Sequence, residues 1–285
     1  MIRRIKSGWL LTKKSWGVLS GDPGLIRFPV IAGLFSLVLG VLLMVPGVYY
    51  LDSGPEAIGI ILLAVGAYLI AFVNYYFAVG LAASADHRMR GEETSFSQGM
   101  GVASSRMSAI AGWAFVATVV MTIIRAIQER FGVAGAIFGT LAAAAWGLVT
   151  FLAVPVIALE GTGPIGTIRR CGALLKSRWG EQITGTIAIG GAVFLFGILP
   201  GVLLIAAGVA LWATTGVGGA VLIAIGAVIL VIAILIQTAL STIFGVALYR
   251  YAATGEAVAT FTAEDMESAV RKKGGSPMGP APTTI

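Results

Sequence analysis

Charge is what this chain has least of. Only 11% of its 285 residues are Asp, Glu, Lys or Arg, while 58% are hydrophobic and the mean hydropathy is +0.95. An ordinary soluble domain carries roughly 25% charged residues. With so few, a soluble fold could not cover its apolar surface. Cysteine is scarcer still. Cys171 stands alone, which excludes an intrachain disulfide and a cysteine-based metal site. The one histidine, His87, sits between Asp86 and Arg88. That trio could act on a lipid headgroup, but plain interfacial charge accounts for it equally. No nucleophile elbow, phosphate loop, zincin motif or carboxylate pair on one helix face occurs, and the adjacent Glu92 and Glu93 diverge on a helix. No enzymatic activity and no cofactor are expected.

Long apolar runs fill the space that charge leaves. Six run approximately over Phe28–Tyr50, Ala57–Leu81, Ser108–Ile124, Phe131–Leu159, Ile183–Trp212 and Gly219–Tyr249. Each is near or above the ~20 residues a helix needs to cross a bilayer. Helices are required because an isolated strand leaves backbone groups unpaired in lipid. Arg125 is expected to close the third run. Short gaps at Leu51–Glu56, Arg125–Arg130 and Ala213–Gly218 make neighbouring runs antiparallel, so the chain reads as three hairpins.

Of the 19 Lys and Arg residues, 17 fall at the termini or in the longer gaps between hairpins; Arg125 and Arg130 are the exceptions. Basic loops face the cytoplasm. Both termini are therefore expected to be cytoplasmic, in the cell membrane. The formal charge of +6 reflects this placement and not a basic nucleic-acid-binding domain. The first 25 residues are basic and interrupted, and the run that follows is too long for a signal-peptide core.

Ile2–Gly17 aligns without gaps on Ile165–Gly180, matching Ile5 with Ile168, Leu11 with Leu174, Lys13 with Lys176 and Trp16 with Trp179. At helical spacing Ile2, Ile5, Trp9, Thr12, Trp16 and Leu19 form one stripe, opposite Arg3, Lys6, Lys13 and Lys14. Ile165, Ile168, Leu175 and Trp179 form its counterpart, with Arg169 and Arg178 among the basic partners; Leu11 and Leu174 break the pattern. Phe96, Met100, Ala103, Met107 and Ile110 make a weaker third face. Such helices suit the membrane interface. Arg3, Lys6, Trp9, Lys13, Lys14, Trp16, Arg169, Lys176, Arg178 and Trp179 are the candidate lipid-interface residues, with anionic headgroups as their partners. The plainer role for these helices is anchoring.

Glycines recur at seven-residue intervals: Gly33, Gly40 and Gly47; Gly59 and Gly66; Gly201 and Gly208; Gly219 and Gly226. Gly135 and Gly139 are four apart. Small residues on one stripe let helix backbones approach in lipid. No charged residue falls in the middle of any run, which argues against ion-coupled transport. Asn74 and Gln237 are read as interhelical hydrogen-bonding residues. With Pro200, they are also the residues a transport pathway between the hairpins would use.

The segments Ile2 to Lys6, Lys13 to Trp16, Ser95 to Gly99, and Ile168 to Arg170 through Trp179 resemble a group of functionally uncharacterised prokaryotic multi-pass membrane proteins. These repeat an interfacial basic-aromatic helix before each hairpin. More distantly, the chain looks like the membrane domain of some glycerophosphodiester phosphodiesterases. It lacks their catalytic domain, so that likeness implies no activity.

The expected fold is an all-α integral membrane protein, six transmembrane helices in three antiparallel hairpins, each preceded by an amphipathic interfacial helix. Residues 1–27 are the N-terminal interfacial helix, 28–81 the first hairpin, 82–159 the second with its interfacial helix, and 160–250 the third. Residues 251–285 form a cytoplasmic tail, with a short helix over 263–273 and disorder after it. The expected role is a non-enzymatic scaffold or accessory factor at the cytoplasmic lipid interface. A transporter or channel is the alternative. A protein partner or a homo-oligomer is compatible with this, and nucleic acid is not expected.

Overall fold

The structure, a computed structural model, describes residues 13–179 and 194–255. Every element among them is helical and none is a strand. The helices are α1 (13–21), α2 (Arg27–Leu39), α3 (Val45–Ser53), α4 (Glu56–Met89), α5 (Phe96–Ser105), α6 (Met107–Arg130), α7 (Gly132–Thr150), α8 (Ala153–Glu160), α9 (Pro164–Trp179), α10 (Leu199–Thr215) and α11 (Val217–Thr254). Two five-residue π-turns, Gly40–Met44 and Phe194–Ile198, lead into α3 and α10.

Four stretches among the described residues are long and apolar enough to cross a bilayer: Pro23–Ser53, Glu56–Met89, Met107–Arg130 and Val217–Thr254, with 31, 34, 24 and 38 residues. At about 1.5 Å per residue each exceeds the roughly 30 Å of hydrocarbon. The expected run 131–159 is not one helix. It breaks at Phe151–Leu152, because Pro155 in the first turn of α8 has no N–H for the Phe151 carbonyl. The expected run 183–212 is described only from Phe194 onward, and its apolar helix spans Leu199–Trp212. Nor does Arg125 end the third run. Arg, Gln and Glu are good helix formers, and α6 continues to Arg130. The turn falls at Phe131 and Gly132, where Gly132 adopts φ +54°, a conformation that suits glycine. The expected helix over 263–273 and the tail after it lie outside the described residues.

Most of the seven-spaced glycines sit where helices touch. A Cβ on Gly59 would lie 2.8 Å from the Gly47 carbonyl oxygen, and one on Gly219 2.7 Å from that of Gly208. Any side chain there would push apart α3 and α4, or α10 and α11. Gly135 is placed against Ile127 and Phe131 at the α6–α7 turn. Gly40 is different: a Cβ there would meet nothing within 4 Å.

Buried residues gather at one end of the helices. Phe28 at the start of α2, Leu81 and Ala85 late in α4, Ile110 and Trp113 early in α6, Leu152 just before α8, Ile157 within it, and Phe244 late in α11 are all 1% exposed or less. A close crossing joins α4 to α5. A Cβ on Gly99 would be 2.6 Å from the Gly80 carbonyl oxygen and 2.7 Å from Phe28 Cζ. Helix α5 begins with a reciprocal cap: Gln98 N–H donates to Ser95 Oγ, and Ser95 N–H donates to Gln98 Oε1. It stops at Ser105, and Arg106 (φ −107°, ψ 13°) resets the helical phase. Met107, expected on the same apolar face as Phe96, Met100, Ala103 and Ile110, is therefore exposed.

Candidate functional site

The late residues of α4 and α11 carry most of the polar chemistry of this buried end. Residues 82–85 (Ala, Ala, Ser, Ala) are small and admit α11 close enough for Arg250 to reach Asp86. Asp86 is 2% exposed. Arg250 Nη2 donates to its Oδ2 at 2.6 Å and Nε donates to Oδ1. Arg90, which caps the C-terminus of α4, places Nε 3.4 Å from Oδ2. A carboxylate this far from water needs such hydrogen-bond partners.

A second, more exposed shell continues outward. Arg90 Nη1 contacts Glu92 Oε1 at 2.9 Å, and His87 Nδ1 lies 2.5 Å from Glu92 Oε2. Arg90 Nη2 also lies 3.3 Å from Nδ1, and the ring nitrogen donates to Glu92 or accepts from Arg90 according to its tautomer. Asp86 is held chiefly by Arg250 and His87 by Glu92, with Arg90 touching both. The trio Asp86, His87 and Arg88 does not converge on one reacting point: Arg88 turns away to donate from Nη2 to the Gly21 carbonyl at the end of α1.

Tyr249, the neighbour of Arg250, makes the other joint. Its hydroxyl donates to Glu160 Oε1 at 2.7 Å, and Arg170 Nε donates to the same oxygen at 2.6 Å. Glu160 is the last residue of α8. The chain then reverses through Gly161 into α9, where Thr167 Oγ1 bonds back to Thr162 and Gly163. Consecutive residues of α11 thus hold α4 on one side and the α8–α9 corner on the other. The hydrogen bond to Glu160 raises the Arg170 pKa further, so it remains a cation. Burial, with the Glu160 charge adding to it, pushes the Cys171 thiol up to about 12. It stays protonated and is a poor nucleophile. Each acid or thiol in this network is tied up or inert, and the arrangement fastens helices together. Among the described residues no three His, Cys, Asp or Glu side chains are grouped to hold a metal.

The residues read from the sequence as a lipid interface are placed as follows. Arg3, Lys6 and Trp9 lie outside the described residues. On α1, Lys13 and Trp16 are exposed and Lys14 is half-buried. On α9, Arg169 and Lys176 are exposed; Arg178 and Trp179 occupy its last turn, with side chains outside the description. Thr167, Cys171 and Leu174 face the protein, while Ile165 is 68% exposed. Leu174 belongs to a second apolar face, turned to the bundle. Trp16, 47% exposed, likewise points away from the protein.

The three pathway residues are not brought together by any hydrogen bond among the described residues. Asn74 Nδ2 donates to Ser36 Oγ at 2.9 Å across α4 and α2, and to its own Ile70 carbonyl. Gln237 Nε2 donates to Ser241 Oγ one turn along α11, so its bond is within one helix and not between two. Pro200 sits in the first turn of α10.

Sequence reasoning passed over the two joints. Their one sequence signal is acid on the basic side: Asp86 and Glu160 close apolar runs whose flanks are otherwise cationic, and each needs a partner.

The chain belongs to a family of unknown function, DUF6159, whose profile matches residues 60–259. No curated protein and no solved structure matches it. The likeness to the membrane domain of glycerophosphodiester phosphodiesterases has no support in these comparisons.

Proposed function

We propose that the protein is a non-enzymatic, multi-pass scaffold or accessory factor at the cytoplasmic lipid interface of the cell membrane. One observation carries the reading: the acids Asp86 and Glu160 at the buried end are held in internal pairs, while cations remain exposed around it. Asp86 and Glu160 are held by Arg250, Arg170 and Tyr249, whereas Lys13, Arg27, Arg169 and Lys176 are exposed. A surface left positive in this way attracts anionic headgroups, each Lys or Arg contributing about 1 kcal/mol near the membrane surface. Exposed Trp16 suits the headgroup layer.

The proposal includes six crossings as three antiparallel hairpins, each preceded by an interfacial helix, with both termini cytoplasmic. The long apolar helices α4, α6 and α11, the paired α10 and α11, and the shared end of α1, late α4, α9 and late α11 support this layout. No catalytic step is assigned. The thiol of Cys171 is inert and His87 is engaged by Glu92.

The test is native mass spectrometry of protein extracted in mild detergent and offered equal phosphatidylglycerol and phosphatidylcholine. The wild type retains the anionic lipid. Joint replacement of Lys13, Arg27, Arg169 and Lys176 by Gln abolishes that preference. A preference unchanged in the variant would refute the reading.

A further inference from the structure

Two joints at distant places in the chain are built alike. The π-turn Gly40–Met44 runs into residues 44–47 (Met, Val, Pro, Gly), and the π-turn Phe194–Ile198 runs into residues 198–201 (Ile, Leu, Pro, Gly). Each proline is the second residue of the helix that follows.

The glycines after the prolines make equivalent contacts. A Cβ on Gly59 would meet the Gly47 carbonyl and Leu51; one on Gly226 would meet the Gly201 carbonyl and Ile205. Reciprocally, Gly47 faces Leu63 and Gly201 faces Leu230. The two sets superpose in sequence with one constant offset in the first helix of each pair (47 to 201, 51 to 205) and another in the second (59 to 226, 63 to 230). The joints also lie at similar depth. Leu63 precedes Asp86 by 23 residues and Leu230 precedes Arg250 by 20, and Asp86 and Arg250 are in contact. At about 1.5 Å per residue the depths agree within about 5 Å.

The backbone is weakened at each joint. Val45 N–H reaches back five residues to the Gly40 carbonyl. Pro46 and Pro200 have no N–H, so the carbonyls of Leu42 and Phe196 lose their usual helical donors. In hydrocarbon no water replaces the missing bond. Just beyond the joint the chain is held firmly, because Gly47 and Gly201 seat their helices against α4 and α11. Kinks at prolines and π-turns localise bending.

We propose that residues 40–47 and 194–201 are a duplicated pair of pivots. At the first, α2 changes its tilt relative to α3, carrying α1 with it, while α3 stays fixed on α4. The device links events at the basic end to helix tilt within the membrane, independently of which lipid or partner is bound there.

Pulsed electron–electron resonance in nanodiscs tests this at the first pivot. In a Cys171→Ala background, spin labels at Arg27→Cys and Tyr49→Cys span the pivot. Labels at Glu56→Cys and Ala78→Cys span the same 22 residues of the uninterrupted α4. The pivot pair is expected to give a distance distribution about twofold broader than the control, narrowing to the control width when Pro46→Ala restores the donor. A wild-type width no greater than the control would overturn the proposal without reference to any variant. A broad distribution unchanged by Pro46→Ala would overturn the role given to the proline joint.

Discussion

Arg250 closes on Asp86 with two guanidinium nitrogens from 164 residues away in the chain, and it is the contact through which the ends of α4 and α11 are held side by side. Asp86 is 2% exposed and Arg250 is 25% exposed, so the pair is asymmetric: the acid depends on the base more than the base depends on the acid.

Removing either partner should show that asymmetry. Arg250→Ala leaves an ion without its main partner among apolar neighbours and is expected to cost about 3–5 kcal/mol. Asp86→Ala leaves a guanidinium that can still reach water and should cost less. The double replacement by Leu at both positions should recover most of the loss. Thermal unfolding in detergent, followed by tryptophan fluorescence, orders the variants. Equal losses for the two single changes would contradict the inequality.

Two glycines in α5 offer a paired steric test. Gly99 is wedged between the Gly80 carbonyl and Phe28, whereas a Cβ on Gly101 meets nothing within 4 Å. Gly99→Leu is expected to separate α4 from α5 and lower the melting temperature sharply. Gly101→Ala should be neutral, or stabilising by up to about 1 kcal/mol through helix propensity. Similar melting temperatures for both variants would place the α4–α5 crossing elsewhere.

Cys171 sets a pH dependence with a definite sign. Its thiol is raised from the ordinary 9.0 to about 12 in the folded protein. A group raised in this way adds stability that is fully present below the unfolded value and is lost as pH rises toward the folded one. Stability should therefore decline from about pH 9 upward, and Cys171→Ala should flatten that decline. The same burial predicts that maleimide leaves the native protein unmodified at neutral pH and labels it fully after denaturation. Rapid labelling of the native form would contradict the burial.

The proposed orientation can be read with an impermeant thiol reagent, since buried Cys171 leaves introduced cysteines as the reporting sites. In sealed right-side-out vesicles, Asp52→Cys and Glu129→Cys should be modified from outside. Arg27→Cys and Arg169→Cys should react only after permeabilisation. Labelling of all four from the same side would exclude the three-hairpin arrangement.

Much of the fold was legible because it depends on local composition. The runs containing α4 and α11 are recognisable from length and lack of charge, since any helix so apolar must avoid water. The seven-residue glycine spacing marked real contact stripes at Gly47, Gly59, Gly201, Gly208, Gly219 and Gly226, because small residues are what allow backbones to meet. Misreadings occurred where one residue's effect depends on its surroundings. Pro155 split a run that hydropathy joins. Arg125 looked like an end, but helix formation continued through it.

Residue order alone was enough to establish a helical membrane chain with its cations gathered between alternate apolar runs, since hydropathy and charge are carried by each residue wherever it lies. Packing decided which helices lie together, that Tyr249 and Arg250 grip two different neighbours, and that Asp86 is hidden while His87 beside it faces outward. Those outcomes depend on distances across folded helices, and a partner many turns away leaves no local mark on the residues it will meet.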